Sequence, residues 1–237
     1  MIKLYTWPTP NGYKVSILLR EAQIPYDAVP VNISRGDQFK EEFLKLTPNN
    51  KIPVLVDTSP MRGDKPIVLF ESGAILEYLA DKSGLFLAPF GEPERYESLK
   101  WLYWQMAGLG PMLGQNHHFS SYAPEKIPYA IERYLNETRR LYTVLDHRLE
   151  SSPYVGGKDY SIADMAAYPW IVSHEKQGQR LEDYPSLKIW FDKLHARPAV
   201  RAAYEEGKSL RGDQGPTVTA GSQAILFGQT GEHLKKK

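Results

Sequence analysis

Short apolar runs bounded by turn residues alternate with stripes at helical spacing along the opening part of the chain. Residues 2–7 (IKLYTW) predict a strand, and after the Thr9-Pro10-Asn11-Gly12 turn Val15, Leu18, Leu19 and Ala22 share one helix face. Residues 26–32 read as extended, 38–46 as helical, and 53–57 and 66–70 as two more short apolar strands. Glu71-Ser72-Gly73 then opens a helix carrying Ile75, Tyr78 and Leu79, which Gly84 stops. The resulting order is βαβαββα. From about residue 93 strand signals vanish and long helical stripes follow, among them Ile131, Leu135, Tyr142, Leu145 and Leu149. An α/β domain over 1–84 and an all-helical domain over 93–208 are therefore expected, joined by the Gly- and Pro-containing stretch 83–93. Residues 209–237 lack periodicity and predict an extended C-terminal tail.

Composition narrows the function classes. The 237 residues are enough to bury a sizeable core, and 29 Lys+Arg against 28 Asp+Glu leave a net charge of +1. No field of that size holds a nucleic acid or an anionic membrane, so neither is an expected partner. The start MIKLYTW has no basic region followed by an apolar one, and no long uninterrupted apolar run occurs. A soluble, cytoplasmic protein is expected. The absence of cysteine removes disulfide scaffolds, thiolate metal sites and any protein thiol nucleophile.

Three short motifs carry candidate chemistry, each with a plain structural reading beside it. In Asn49-Asn50-Lys51-Ile52-Pro53-Val54-Leu55 the proline opens a strand, where a cis bond could form a tight turn. Simple strand initiation explains it equally well, but a proline opening the third strand of βαβαββα, with a turn after the first, matches a thioredoxin-like arrangement. There the backbone of Ile52 would pair with an extended peptide. Ser72 can cap its helix; the same geometry offers its hydroxyl and free backbone N–H groups to a carboxylate, while Glu71 could meet an ammonium. Thr9-Pro10-Asn11 supplies a turn with Asn11 as the expected N-cap, and it would also favour a ligand thiolate through the Thr9 hydroxyl, the Asn11 amide and the helix dipole.

Other patterns are structural or fail. Ser161-Ile162-Ala163-Asp164 predicts a capping box in which Ser161 and Asp164 serve the fold. Gly108, Gly110 and Gly114 have the wrong spacing for a dinucleotide loop and no βαβ unit around them. His117 and His118 are adjacent, cannot share a helix face and have no thiolate partner, so no metal is expected.

Taken together, the thioredoxin-like first half, NNKIPVL, FESGAILEYLA and YVGGKDYSIADM resemble the glutathione transferase superfamily over about residues 1–208. TPNGYK, FESGAIL and the run GLGPMLGQNHHF are similar to its Nu class, whose relatives include a prion-forming nitrogen regulator and bacterial disulfide-bond reductases. The resemblance implies a glutathione transferase fold with glutathione as co-substrate, held by Asn11, Gln38, Lys51, Ile52, Glu71 and Ser72. It further implies catalytic roles for Thr9 and Asn11, a glutathione carboxylate contact for Arg133 in AIERY, a structural role for Pro53, and a homodimer. Tyr5 and Tyr13 are not assigned a catalytic hydroxyl.

With no protein cysteine, both exchanging sulfurs must come from bound ligands. A glutathione-dependent disulfide reductase, with weak transferase or peroxidase activity, is the leading expectation. The alternatives are a detoxifying transferase that conjugates electrophiles and a non-enzymatic regulatory protein on the same fold. Trp104, Met106, Met112 and Phe119 are candidates for the wall of a second substrate site, and core packing competes for each of them.

Overall fold

A computed structural model of the chain describes residues 1–213, 218–219 and 221–232. The remaining positions of the expected tail, including the basic end Lys235–Lys237, lie outside the described residues. The chain forms two compact units: Met1–Ile75 together with the segment from Ala202 onward, and Leu76–Arg201.

The first unit follows the expected order. Strand β1 (Ile2–Thr6) leads to α1 (Pro10–Glu21), then β2 (Tyr26–Pro30), α2 (Glu41–Leu44), β3 (Val54–Asp57), β4 (Ile67–Phe70) and α3 (Ser72–Ser83). The four-stranded sheet has order β2-β1-β3-β4, with β1 parallel to β2 and antiparallel to β3, and β3 antiparallel to β4. This is the thioredoxin-like layout. Alternation along β1 buries Ile2, Leu4 and Thr6. On α1, Val15, Leu18 and Leu19 are fully buried. Val31, Phe43 and Val54 form a further cluster against which Tyr5, Leu46 and Ile52 pack. The helix expected over 38–46 is divided: a 3-10 turn, Asp37–Phe39, gives way at extended Lys40 (ψ 140°) to α2. Gly84, at φ +69°, ends α3, and its N–H donates to Ala80 O at 2.8 Å.

The second unit is helical. It contains α4 (Pro93–Trp104), α5 (Gly110–His117), α6 (Pro128–Glu150), α7 (Ile162–Ile171) and α8 (Pro185–His195), with π-helical turns at Gln105–Leu109 and His118–Tyr122. Asp164 is its polar hub. One carboxylate oxygen accepts from Val155 N–H and Trp190 Nε1–H, both at 2.8 Å, and the other accepts from the Ser161 N–H and hydroxyl, both at 3.0 Å. The expected capping box is thus present, and the same side chain also anchors Trp190. Burial pushes the Asp164 pKa up against the pull of these bonds. The 83–93 connection is held in place: buried Arg95 pairs with Asp81 at 2.7 Å and Glu77 at 3.0 Å, and donates to Ala88 O at 3.1 Å. The glycine-rich run proves to be a packing slot. A Cβ on Gly110 would lie 3.2 Å from the Trp170 ring nitrogen, and one on Gly114 3.4 Å from the same ring.

Helix α9 (Pro198–Arg211) runs into the segment expected to be tail from 209, and α10 (Gln223–Phe227) adds a short helix within it. The C-terminal part of α9 belongs to the first unit. Tyr204 stacks on Tyr13 with ring centroids 4.0 Å apart, Glu206 accepts from the Tyr26 hydroxyl and pairs with Arg20 at 3.0 Å, and Arg211 donates to Pro8 O at 3.0 Å. Gly207 makes room for this stack, since a Cβ there would meet the Tyr13 hydroxyl at 2.4 Å.

Candidate functional site

Strand register gathers the motifs at one end of the sheet. Tyr5 of β1 lies opposite Val54 of β3, and Val54 opposite Phe70 of β4. The chain that leaves β1 toward Thr9, enters β3 through Ile52-Pro53 and leaves β4 at Glu71-Ser72 therefore does so at a shared edge. Because β2 runs parallel to β1, with Thr6 opposite Pro30, the segment bearing Gln38 departs from that edge too.

The first helix begins two residues earlier than the sequence suggests. Thr9, not Asn11, is the N-cap: it is extended (φ −130°, ψ 162°), and its Oγ1 accepts from Gly12 N–H at 3.3 Å. Pro10 suits the first helical position because its missing N–H would have no partner there, which moves Asn11 into the first turn. The Thr9 hydroxyl still has its proton to donate. Gly12 permits the tight approach, since a Cβ there would stand 2.3 Å from Trp7 O. The result is a helix N-terminus, with its positive dipole end, flanked by a hydroxyl and an amide.

The Ile52–Pro53 bond is cis. Ladder pairing of β3 starts at Val54, and among the described residues no hydrogen bond uses the Ile52 amide or carbonyl. That leaves a donor and an acceptor for an extended peptide. Glu71 is exposed and adopts φ +72°, a conformation that costs a non-glycine residue of order 1–3 kcal/mol and recurs at ligand clamps. Its carbonyl accepts from Ile75 N–H at 3.0 Å, and its carboxylate from the Asn49 amide at 3.5 Å. Ser72 is the first residue of α3 and is buried.

Beneath Ser72 lies a residue that sequence reasoning missed. Lys14 of α1 is 1% exposed and donates from Nζ to Ser72 Oγ at 3.4 Å. Burial pushes its pKa down to about 7, with the nearby Glu71 charge opposing. The available signal was its place on the helix three and four residues before Ile17 and Leu18, which are fully buried.

The remaining expected residues are placed as follows. Gln38 is 1% exposed, with Nε2 donating to Ile33 O at 3.2 Å and a buried Oε1 that has no partner among the described residues. Lys51 is engaged from the C-terminal segment: Gln229 Oε1 accepts from Lys51 Nζ at 3.1 Å and from the Asn50 side-chain amide at 3.0 Å. Arg133, on α6 of the helical unit, is largely exposed and lies 3.8 Å from Glu137, a spacing worth little in water. Tyr13 is held against Tyr204, with burial raising its pKa, away from an ionisable nucleophile's needs. Phe119 stacks on Tyr134 and Trp104 meets Trp101 edge-on, the packing use that competed with a substrate wall. His117 stacks on Trp170, and burial holds its pKa down at about 4. Among the described residues no group of three or more His, Asp or Glu could hold a metal, and no helix is long and apolar enough to cross a membrane.

Known proteins align with this layout. Residues 1–81 match the glutathione S-transferase N-terminal domain family and residues 112–198 the corresponding C-terminal domain family. The disulfide-bond oxidoreductase YfcG of Escherichia coli is 54% identical over 203 residues, an alignment covering 86% of this chain and 94% of that protein. YghU, a second disulfide-bond oxidoreductase of that organism, is 39% identical over 229 residues, covering 91% of this chain and 76% of its own. Among solved structures, a glutathione transferase family member from Pseudomonas fluorescens with two glutathione molecules bound superposes with a TM-score of 0.81 at 45% identity, over 86% of this chain and 92% of that one.

Proposed function

The chain belongs to the glutathione S-transferase family, and from that premise we propose that it is a glutathione-dependent disulfide reductase whose exchanging sulfurs both come from bound ligands. One observation carries the reading: a thioredoxin-like scaffold presents a helix N-terminus capped by Thr9 and flanked by Asn11, in a chain without any cysteine. The positive end of α1 and the Thr9 hydroxyl favour the thiolate of a glutathione bound there. That thiolate attacks one sulfur of the substrate disulfide, forming a glutathionyl mixed disulfide and expelling the other sulfur as a thiolate that takes up a proton. A second glutathione thiolate then attacks the glutathionyl sulfur, releasing oxidised glutathione and the second substrate thiol. The two glutathione molecules bound by the Pseudomonas fluorescens relative support the need for two peptide sites.

In this reading Ile52 pairs with the glutathione backbone, and Glu71 and Ser72 receive the ammonium and carboxylate of its γ-glutamyl end. A ligand N–H would satisfy Gln38 Oε1, and Lys51 and Arg133 would meet glutathione carboxylates. Cytoplasmic placement and homodimerisation belong to the same proposal, the second supported by the half-exposed rings of Tyr96 and Tyr103 on α4. The test is turnover of 2-hydroxyethyl disulfide with glutathione, coupled to NADPH through glutathione reductase, beside a chromogenic conjugation substrate. Disulfide turnover well above conjugation is expected. Dominant conjugation would make the protein a detoxifying transferase, and binding without either activity would make it a regulatory one.

A further inference from the structure

Burying a lysine almost completely is costly, and a residue that serves only packing has no need of an ammonium. Lys14 is 1% exposed and directs its charge at Ser72 Oγ, 3.4 Å away, at the start of α3. With Lys14 donating to that oxygen, the ammonium and the Ser72 hydroxyl are joined by one buried hydrogen bond at the start of α3. We propose that Lys14 is a positioning residue for the carboxylate received at the start of α3: its ammonium orients the Ser72 hydroxyl as a donor and balances the incoming negative charge from below. The inference rests on the glutathione reading of that site and deepens it, since it assigns the charge that answers the γ-glutamyl carboxylate.

The surroundings of Lys14 make this coupling measurable. Glu71 is the charged group whose field reaches it. On its own helix, Tyr13 stacks on Tyr204 and Arg20 pairs with Glu206. On α3, Glu77 and Asp81 are tied to Arg95. Strand β4, which leads into α3, carries no ionisable side chain between Ile67 and Phe70. In the free protein, burial holds the Lys14 pKa at about 7, so above neutral pH the amine is largely uncharged. An anion arriving at Ser72 raises that pKa, and binding then draws a proton from solution.

Titration calorimetry of the full chain with S-methylglutathione, which has no thiol to titrate, in two buffers of different ionisation enthalpy counts the protons. At pH 8 the wild-type protein is expected to take up a large fraction of a proton per ligand, and at pH 6 close to none. Lys14→Arg, permanently charged, should bind without that uptake at either pH. Lys14→Met should bind about tenfold or more weakly at pH 6, the loss expected of a charge-assisted contact. Wild-type uptake at pH 8 equal to that of Lys14→Arg, or undiminished affinity in Lys14→Met, overturns the assignment. Absence of S-methylglutathione binding by the wild-type chain overturns the glutathione reading itself, and the role of Lys14 with it.

Discussion

Gln229 sets its side-chain carbonyl oxygen 3.1 Å from Lys51 Nζ. The same oxygen takes the Asn50 amide, so one residue of the C-terminal segment occupies two donors beside the Ile52–Pro53 turn. A peptide carbonyl or carboxylate of a ligand would use the same donors. Gln229→Ala is therefore expected to tighten glutathione binding by roughly twofold to fivefold, the gain from removing one modest competing hydrogen bond. Calorimetric titration checks it, and weaker binding in the variant would instead make Gln229 part of the ligand site.

Thr9 and Asn11 are expected to act on the thiol more than on affinity. In the double variant Thr9→Ala/Asn11→Ala the acidic limb of the pH–rate profile should move up by about one unit, with turnover at pH 7 lower by about tenfold. Because Thr9 also caps α1, the alanine costs about 1 kcal/mol of stability. Thr9→Ser, which keeps the cap and the hydroxyl, should retain the wild-type profile. A profile that does not move in the double variant removes thiolate stabilisation from this turn.

Lys14 should leave a signature in stability as well as in binding. Its folded pKa, about 7, lies below the ordinary lysine value of 10.5. Between those pH values the unfolded chain holds a proton that the folded one has released, so stability rises with pH across that window. It is lowest, and flat in this respect, below pH 7. The difference in unfolding free energy between wild type and Lys14→Met should change by about 1.4 kcal/mol per pH unit inside the window. Urea unfolding at pH 7 and pH 9 measures it, with Lys14→Met the more stable of the two at pH 7. A constant difference would mean that Lys14 stays protonated throughout.

Removing the Asp164 carboxylate strands its partners. Asp164→Ala would leave Trp190 Nε1, the Val155 N–H and the Ser161 N–H without their acceptor in a fully buried place. A loss of roughly 3–5 kcal/mol is expected, as for other broken buried charged networks. Denaturant unfolding of the helical unit reports it, and a loss under 1 kcal/mol would show that water can replace the carboxylate.

What the sequence makes legible here is what depends on near neighbours. Proline at the start of β3, serine at the start of α3 and glycine after it announce their backbone roles within a few residues, and the Ser161–Asp164 box is readable for the same reason. The N-cap was displaced because Thr9 and Asn11 are both good caps, and only the placement of Pro10 at the first helical position chooses between them. Lys14 is not legible because a lysine beside an apolar stripe ordinarily lies at its solvent margin, and its hydrogen-bond partner Ser72 is far along the chain. The hold of Gln229 on Lys51 and the inward turn of the Gln38 amide are likewise tertiary facts with no local pattern. The helical state of 209–211 is not legible because Ser209, Leu210 and Arg211 are too few to show a period of their own, and the helix that carries them starts at Pro198.

The stack of Tyr204 on Tyr13, with Glu206 and Arg211 reaching Tyr26 and Pro8, makes the first unit discontinuous in the chain. Residues Met1–Ile75 wait for the segment from Ala202, and everything from Leu76 to Arg201 is made in between. The unit that bears Thr9 is therefore sealed only after the whole helical stretch has been made. A nascent chain interrupted after α8 would leave the ring of Tyr13 and the side chain of Tyr26 without the α9 residues that hold them. Synthesis of the segment from Ala202 onward, and not of the first 75 residues alone, completes the packing around Tyr13 and Tyr26.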